Sequence, residues 1–543
     1  MSRMKIMKVW ICFFLFFCPL FVDAKCQCVD GEGCLKGIIL IDAKESIDDV
    51  PRVEGIHIEV KKIDLEGIQE VLTPYLCSKL DQERVQNIKN AILDFLTQRA
   101  LLAMVIIPEQ EVSDGIIAIE ILTATVEDIH YEGQHWFSKD VIQNQITMKE
   151  GQLLDQNALL NDLAFINLNP FLKTKVILLP GDEPGSTDVE FLTQDRFPFY
   201  FFAGADNNGI VSTSAANVFA GFNWGNAFGI GDVMSYQYTA SPDFHNLQTH
   251  VFVYTSNLPW KDILTLYASY GQIYPDIADF RSEGKTAQAS GRYKWLLQPL
   301  YRPFKSQVEF GFDYKYLNSN LFFTSTTTEV PITIQSINIT QWEGAYTLTD
   351  FWGPHQITYR IEAYASLWKD LFPDQTDSAY QALRPNSSVR YAYLRQSLGY
   401  RYMFWDDWSL FLYLGGQAAT GPLPSSEQYS LGGFDSIRGY EQSQFLADNA
   451  VSMNFEFYFP TIETKGKIKS RTTFLVFYDV GYGKNYQPAS PEFSDQFLSG
   501  AGPALRFEVE DNFSLTADYG FMLHQIPGYS SMGRFYLTAL FGY

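Results

Sequence analysis

Gly533-Arg534-Phe535-Tyr536-Leu537-Thr538-Ala539-Leu540-Phe541-Gly542-Tyr543 ends the chain, and its reading decides the fold. Strand side chains alternate between faces, so Phe535, Leu537, Ala539, Phe541 and Tyr543 share one face; Tyr536, Thr538, Leu540 and Gly542 share the other. One face is apolar throughout and the other is mixed. A strand of a closed transmembrane barrel needs that division, with an aromatic last residue at the interfacial girdle. Phe535, Leu537, Phe541 and Tyr543 are therefore expected to face lipid. The strand is expected to pair with the first barrel strand, near Phe199 to Ala205, because an unpaired backbone edge in hydrocarbon costs several kcal/mol per group.

Upstream, the same two-residue period starts at Phe199 and persists through about sixteen segments of the roughly 9–11 residues that tilted strands need. Val308, Phe310, Phe312 and Tyr314 alternate with Glu309, Gly311, Asp313 and Lys315; Ile357, Tyr359, Ile361 and Ala363 alternate with Thr358, Arg360, Glu362 and Tyr364. The charged faces belong to the lumen, since a charge at the bilayer midplane costs about 2–4 kcal/mol. Aromatic residues make up 16% of the chain, with 32 Tyr and 43 Phe, which suits girdles at both interfaces. Mean hydropathy is −0.10, as befits half-polar strands. Beyond residue 24 no run of eighteen apolar residues exists, which excludes helical spans.

The start of the chain sets the compartment. Arg3, Lys5 and Lys8 precede an apolar run from Val9 to Val22, and Val22-Asp23-Ala24 reads as a cleavage site, so residues 1–24 are read as a secretory signal peptide. Residues 25–52 form a segment without a recognisable amphipathic helix, holding Cys26, Cys28 and Cys34 and one apolar burst, Gly37 to Ile41. In an oxidising compartment these cysteines are expected in disulfides, with Cys77 joined to one of the three; the connectivity stays open. Two units follow, 53–125 and 126–195, each read as strand, two helices and a closing pair of strands. In the first, a strand is expected from Ile56 to Leu65, Asp81 is expected to cap a helix, and Asp114-Gly115 to turn the last two strands. The net charge of −22 disfavours nucleic acid. No His, Cys or carboxylate cluster has metal-ligand spacing, and no nucleophile or phosphate-cradling motif is present, so no catalytic group, metal or cofactor is expected.

Two stretches stand out from simple alternation. Leu431-Gly432-Gly433-Phe434-Asp435-Ser436-Ile437-Arg438-Gly439-Tyr440 lies in a long connection at about 421–448. Thr473 to Gly483 reads as a strand whose inward face carries Leu475, Phe477, Asp479, Gly481 and Gly483. A carboxylate in an apolar, glycine-lined stretch needs a cation, and Arg438 on a glycine-rich loop that folds into the lumen is the candidate, its planar fork matching a carboxylate. Arg438 and Asp479 are expected to form a salt bridge inside the lumen, and exchanging the two residues should restore more function than either single change.

The Ile437-Arg438-Gly439-Tyr440 loop and the Phe477-Tyr478-Asp479-x-Gly481 strand resemble the two signatures of the superfamily of outer-membrane protein translocases and assembly factors. Pro108-Glu109-Gln110 with Gly115-x-Ile117-x-Ile119, and Leu168-Asn169-Pro170 with Leu179-Pro180-Gly181 and Pro184 to Asp188, resemble polypeptide-transport-associated (POTRA) domains of two-partner secretion transporters, as does Asp206-Asn207-x-Gly209 at the barrel entry. The resemblance implies α+β POTRA domains followed by a 16-stranded antiparallel transmembrane β-barrel at 196–543. It implies an outer-membrane protein that binds an unfolded, β-helical secreted passenger through its periplasmic POTRA domains and exports it through the pore, as a monomer without cofactor or nucleic acid. The family's N-terminal plug helix finds no counterpart in residues 25–52. The alternative is an outer-membrane barrel assembly factor, which shares the loop and strand signatures. A passive porin is disfavoured because it needs no peptide-binding arms.

Overall fold

A computed structural model describes residues 33–42, 50–61, 63–183, 185–211, 213–277, 280–297, 299–324, 329–405, 407–490, 492–526 and 531–543. The expected signal peptide, Cys26 and Cys28 lie outside them. The chain divides into two compact units: one holds residues up to Asp128 with Lys149–Gln156 and Leu179–Asp188, the other holds Ile129–Met148, Asn157–Leu178 and Val189–Tyr543.

The first unit is built on β1 (Gly37–Asp42), β2 (Gly55–Ile58), β3 (Ala103–Ile106) and β4 (Ile116–Thr123), in sheet order β2-β1-β4-β3, with α1 (Ile68–Leu72) and α2 (Gln82–Gln98). Asp81 caps α2 by accepting from the Arg84 amide at 2.8 Å. The helix buries Ile88, Ile92 and Leu96 against Ile38, Leu40, Ile117 and Ile119. Two expectations change here. The burst Gly37–Ile41, placed outside the first unit, is an interior strand of its sheet, parallel to both β2 and β4. A strand buried on both faces shows no alternation, only a short apolar run. The strand expected from Ile56 to Leu65 stops at Ile58. Cys34 and Cys77 are both disulfide-bonded.

β5 (Thr125–Glu132), α3 (Lys139–Gln143), α4 (Gln156–Ile166), β6 (Leu172–Pro180) and β7 (Ser186–Asp195) follow, with sheet order β5-β7-β6. β6 is an edge strand. The region around α3 and α4 is seated on short turns of the barrel. Asn169 Nδ2 donates to the carbonyls of Gly225 (2.6 Å) and Gly231 (2.9 Å). The buried Asp162 carboxylate bonds the Thr147 amide at 2.7 Å and pairs with Lys261 at 3.0 Å. Leu300 N donates to Asn161 Oδ1 at 3.0 Å.

The barrel runs through β8 (Phe199–Asp206), β9 (Asn217–Ala227), β10 (Asp232–Ala240), β11 (Leu247–Asn257), β12 (Ile263–Ile273), the short β13 (Asp276–Ile277), β14 (Phe280–Leu296), β15 (Lys305–Thr324), β16 (Glu329–Trp352) and β17 (His355–Ser366). After α5 (Asp377–Leu383) come β18 (Tyr391–Phe404) and β19 (Trp408–Ala419). The long loop carries β20 (Tyr429–Leu431) and β21 (Phe445–Ala447). Then follow β22 (Asn449–Tyr458), the short β23 (Ile462–Lys465), β24 (Lys469–Lys484), β25 (Asp495–Val509), β26 (Phe513–Met522) and β27 (Gly533–Gly542). Leaving aside β13 and β23, which pair only at hairpin ends, and the separate β20–β21 ribbon, sixteen antiparallel strands close the barrel. The termini of the barrel emerge at the end that carries the short turns.

Closure is made by β27 on β8. Thr538 to Gly542 face Asp206 to Phe202 in register, the fewest paired residues of any two neighbours among the sixteen. Side chains lengthen the seam. Asn207 Nδ2 donates to Phe535 O at 2.9 Å, and its Oδ1 accepts from Leu537 N at 2.7 Å, so one carboxamide stands in for a residue of ladder. Arg534 Nη2 donates to Gly209 O at 2.7 Å.

Candidate functional site in the barrel lumen

The connection between β19 and β22 folds back into the lumen and docks on a wall of glycines. A Cβ on Gly500 would lie 1.8 Å from Arg438 O; on Gly520, 2.3 Å from Gly439 N; on Gly483, 2.7 Å from Ala447 Cβ. These glycines of β24–β26 allow loop backbone to approach strand backbone where any side chain would intervene. Gly439 itself has φ +107°, outside the reach of ordinary residues.

The loop tip is fastened by Arg438. Its Nε and Nη2 donate to Asp479 Oδ2 and Oδ1 at 2.7 and 2.9 Å, and its backbone amide reaches Oδ2 at 3.0 Å. Nη1 also meets Glu456 Oε1 at 2.8 Å and Asp518 Oδ2 at 3.0 Å. Arg506 holds Asp518 too, its Nη1 donating to Oδ1 and its Nη2 lying 3.1 Å from the shared Oδ2. The guanidinium carbon sits 3.5 Å from the centroid of the Phe477 ring, a cation–π contact inside a desolvated site. Arg438, Asp479 and Asp518 are all buried. The site is therefore a network of two arginines and three carboxylates rather than a lone pair. Exchanging Arg438 with Asp479 would set a carboxylate against Asp518 and Glu456, so restoration by exchange is no longer expected.

The flanking residues complete the seat. Ile437 is fully buried against Gly481, and Gly439 N donates to Tyr536 Oη at 3.0 Å. Tyr440 Oη donates to His524 O at 2.6 Å and accepts from Ser499 N at 3.1 Å. Tyr536 belongs to the inward face of β27, so the loop tip and the closing strand share a hydrogen bond. On the outward face Phe535, Leu537, Phe541 and Tyr543 are exposed.

Sequence reasoning missed a second knot at the long-loop end. Arg384 donates to both oxygens of Asp448, at 2.7 and 2.8 Å, to Leu423 O, and to Glu492 Oε1 at 2.8 Å. It joins the α5 loop, the base of the lumenal loop and the loop between β24 and β25. Asp448 also accepts from Leu423 N and Tyr486 N, each at 2.9 Å. Neither Arg384 nor Asp448 lies in an alternating strand, which is why pattern reading did not find them. At the short-turn end a cavity of about 660 Å³ remains, lined by Arg401, Trp405, Glu463, Arg471, Arg506 and Glu508. Arg506 thus touches both this cavity and the carboxylate of Asp518.

Comparison with known proteins agrees with this architecture. The family model described as haemolysin secretion/activation protein ShlB/FhaC/HecB matches residues 185–507. The heme/hemopexin transporter protein HuxB of Haemophilus influenzae (strain 86-028NP) is 20% identical over 443 residues, 79% of this chain and 74% of that protein. Among solved structures, CdiB from Escherichia coli aligns with a TM-score of 0.76 at 16% identity, over 97% of this chain and 94% of its own. CdiB from Acinetobacter baumannii aligns at 0.67 and 15% identity, over 98% and 94%. At these identities the structural likeness is one of fold. The barrel lies in the outer membrane, with the N-terminal α+β domains in the periplasm.

Proposed function

Because the chain belongs to the haemolysin secretion/activation family of outer-membrane transporters for secreted partners, we propose that its POTRA domains capture one unfolded exoprotein and deliver it through the barrel. The observation that carries this reading is the loop seated in the lumen by Arg438 beside an open, charged periplasmic cavity that Arg506 also lines. A seat made of ion pairs on glycines releases and re-forms without rebuilding the barrel wall. An extended chain enters through the cavity, displaces the loop and leaves between the long loops.

The docking edge is β6. It is at the margin of its sheet, and Ile177 and Leu178 on it are exposed. A free edge with apolar side chains suits β-augmentation by an extended peptide, which reads backbone first and side chains second. Polar contacts from α4 and the following turn to the barrel turns hold this domain at the mouth. Domain limits follow the elements: a first POTRA domain that includes β1, a second through β7, and the barrel from β8.

The short seam between β8 and β27 is the observation that favours the second reading, an assembly factor that opens sideways to insert other barrels. The Asn207 and Arg534 bonds across it count against that reading. Comparing the parent cell with one lacking this protein separates the two. Loss of a single large polypeptide from the medium supports transport; a general fall in outer-membrane barrels refutes it. A photo-cross-linker at Ile177 should then capture that polypeptide in the periplasm.

A further inference from the structure

The loop between β17 and β18 straddles the rim of the barrel. β17 ends at Ser366, next to the residue paired with Trp342, whereas β16 continues outward to Glu329. Above Gln341 the β16 edge on that side has no strand partner among the described residues, and the loop wraps it. On the lumenal side sits α5, with Tyr380 buried among Ile337, Ile339 and Val389 and its hydroxyl donating to Asn338 O at 2.9 Å.

On the outer side lies Leu367–Phe372. Outward and inward faces of these strands are unambiguous: Glu309, Asp313 and Glu343 bond within the lumen, so Phe310, Phe312, Tyr314 and Trp342 point to the membrane. Trp368 packs on Trp342 at 5.7 Å and on Phe312 at 6.3 Å between ring centroids, and Phe372 packs on Tyr314 at 5.0 Å. Gln375, fully buried, holds the turn in this shape. Its Nε2 donates to Trp368 O at 3.0 Å and to Thr340 Oγ1 at 2.8 Å, and its Oε1 accepts from Phe372 N at 3.2 Å. Yet Leu367 and Leu371 are each 55% exposed, and Trp368 and Phe372 each 40%. Lys369, between them, is tied to Asp377 at 2.9 Å, at the start of α5.

We propose that Leu367–Phe372 is a lipid-inserted flap, seated among the acyl chains of the outer leaflet, which anchors α5 over the exit from the membrane side. The occupant follows from continuity: the exposed side chains extend, on the same outer face, the row of rings that already meets lipid. Apolar side chains left uncovered there are satisfied by hydrocarbon, and Lys369 sits at the polar boundary as an interfacial cation does. The same loop carries Arg384, so anchoring on the outside and clamping on the inside act on one segment.

The test places an environment-sensitive nitrobenzoxadiazole dye at Leu371→Cys, with Leu367→Cys as a second site should the first misfold. The full chain is reconstituted in phosphatidylcholine vesicles. The expected result is blue-shifted emission that doxyl-labelled phosphatidylcholine quenches and aqueous iodide does not; His245→Cys in another long-end turn should show the reverse. Iodide quenching at residue 371 without loss to the doxyl lipid would overturn the proposal, including the outcome in which a protein partner covers the flap. Leu367→Ser/Leu371→Ser should raise basal conductance in planar bilayers above that of the parent. Unchanged conductance would refute the anchoring of α5.

Discussion

Replacing Gly500 with alanine should expel the lumenal loop. The new Cβ would stand 1.8 Å from Arg438 O, and both atoms are fixed to backbone, so no rotamer relieves the overlap. An ordinary contact of about 3.4 Å or more requires the Arg438 backbone to retreat by about 1.5 Å. The bonds from Arg438 to Asp479 at 2.7 to 3.0 Å and to Asp518 at 3.0 Å do not survive such a shift. Losing one partner of a well-buried ion pair costs about 3–5 kcal/mol. At 1.4 kcal/mol per tenfold, the undocked population rises by about a hundredfold or more. The readout is Ile437→Cys, a position fully buried in the docked loop. Its modification rate by a small maleimide tracks the open fraction when the loop exchanges faster than it reacts. Gly344→Ala is the matched control, because its Cβ meets nothing within 4 Å. If both alanine variants label at the same rate, the loop does not rest on Gly500 and the glycine wall has been misread.

Three further outcomes are expected. Deleting Phe541–Tyr543 removes the reciprocal bonds between Tyr543 and Phe201, at 2.8 and 2.9 Å, from an already short seam; outer-membrane levels, read by surface blotting, should fall far more than on deleting residues 488–490 from a loop. Cys34→Ser with Cys77→Ser should destabilise the first POTRA domain by about 2–5 kcal/mol, seen as a lower urea midpoint for its protease resistance. The Asp377 carboxyl is held down to about 2 from an ordinary 3.8 by the Lys369 amine, the Val389 amide and the Ser388 hydroxyl. Its folded value is depressed, so its hold on the start of α5 is complete above pH 4 and lost as pH falls toward 2. Peptic cleavage within 377–390, normalised to another loop, should rise across that window in the parent and stay flat in Asp377→Asn.

Much of this architecture is readable from local chemistry. The two-residue period from Phe199 onward reflects a wall with lipid on one side and a lumen on the other, and such a wall imposes its pattern on every strand regardless of its neighbours. Arg438 and Asp479 are visible for the same reason: an inward carboxylate in an apolar strand has to be answered, and a glycine-flanked arginine on a long loop can reach it. β1 escaped because strands buried on both faces lack alternation, and one of its two parallel neighbours, β4, lies far along the chain.

Tertiary structure decided which inward groups meet. Asp518 and Glu456 face the lumen by parity alone, but their arrival at the Arg438 fork depends on the registers of β22, β24, β25 and β26 around a closed barrel. Gly500 and Gly520 look like weak strand residues in one dimension; only the docked loop shows that their missing side chains are its seat. Arg384 and Asp448 belong to loops with no period, so their pairing rests on how three connections converge over one exit. The sequence by itself determined the solvent of each strand face, because alternation is a property of single segments. Contacts between segments required the closed ring, because a shift of one residue in any register would send the same side chains elsewhere.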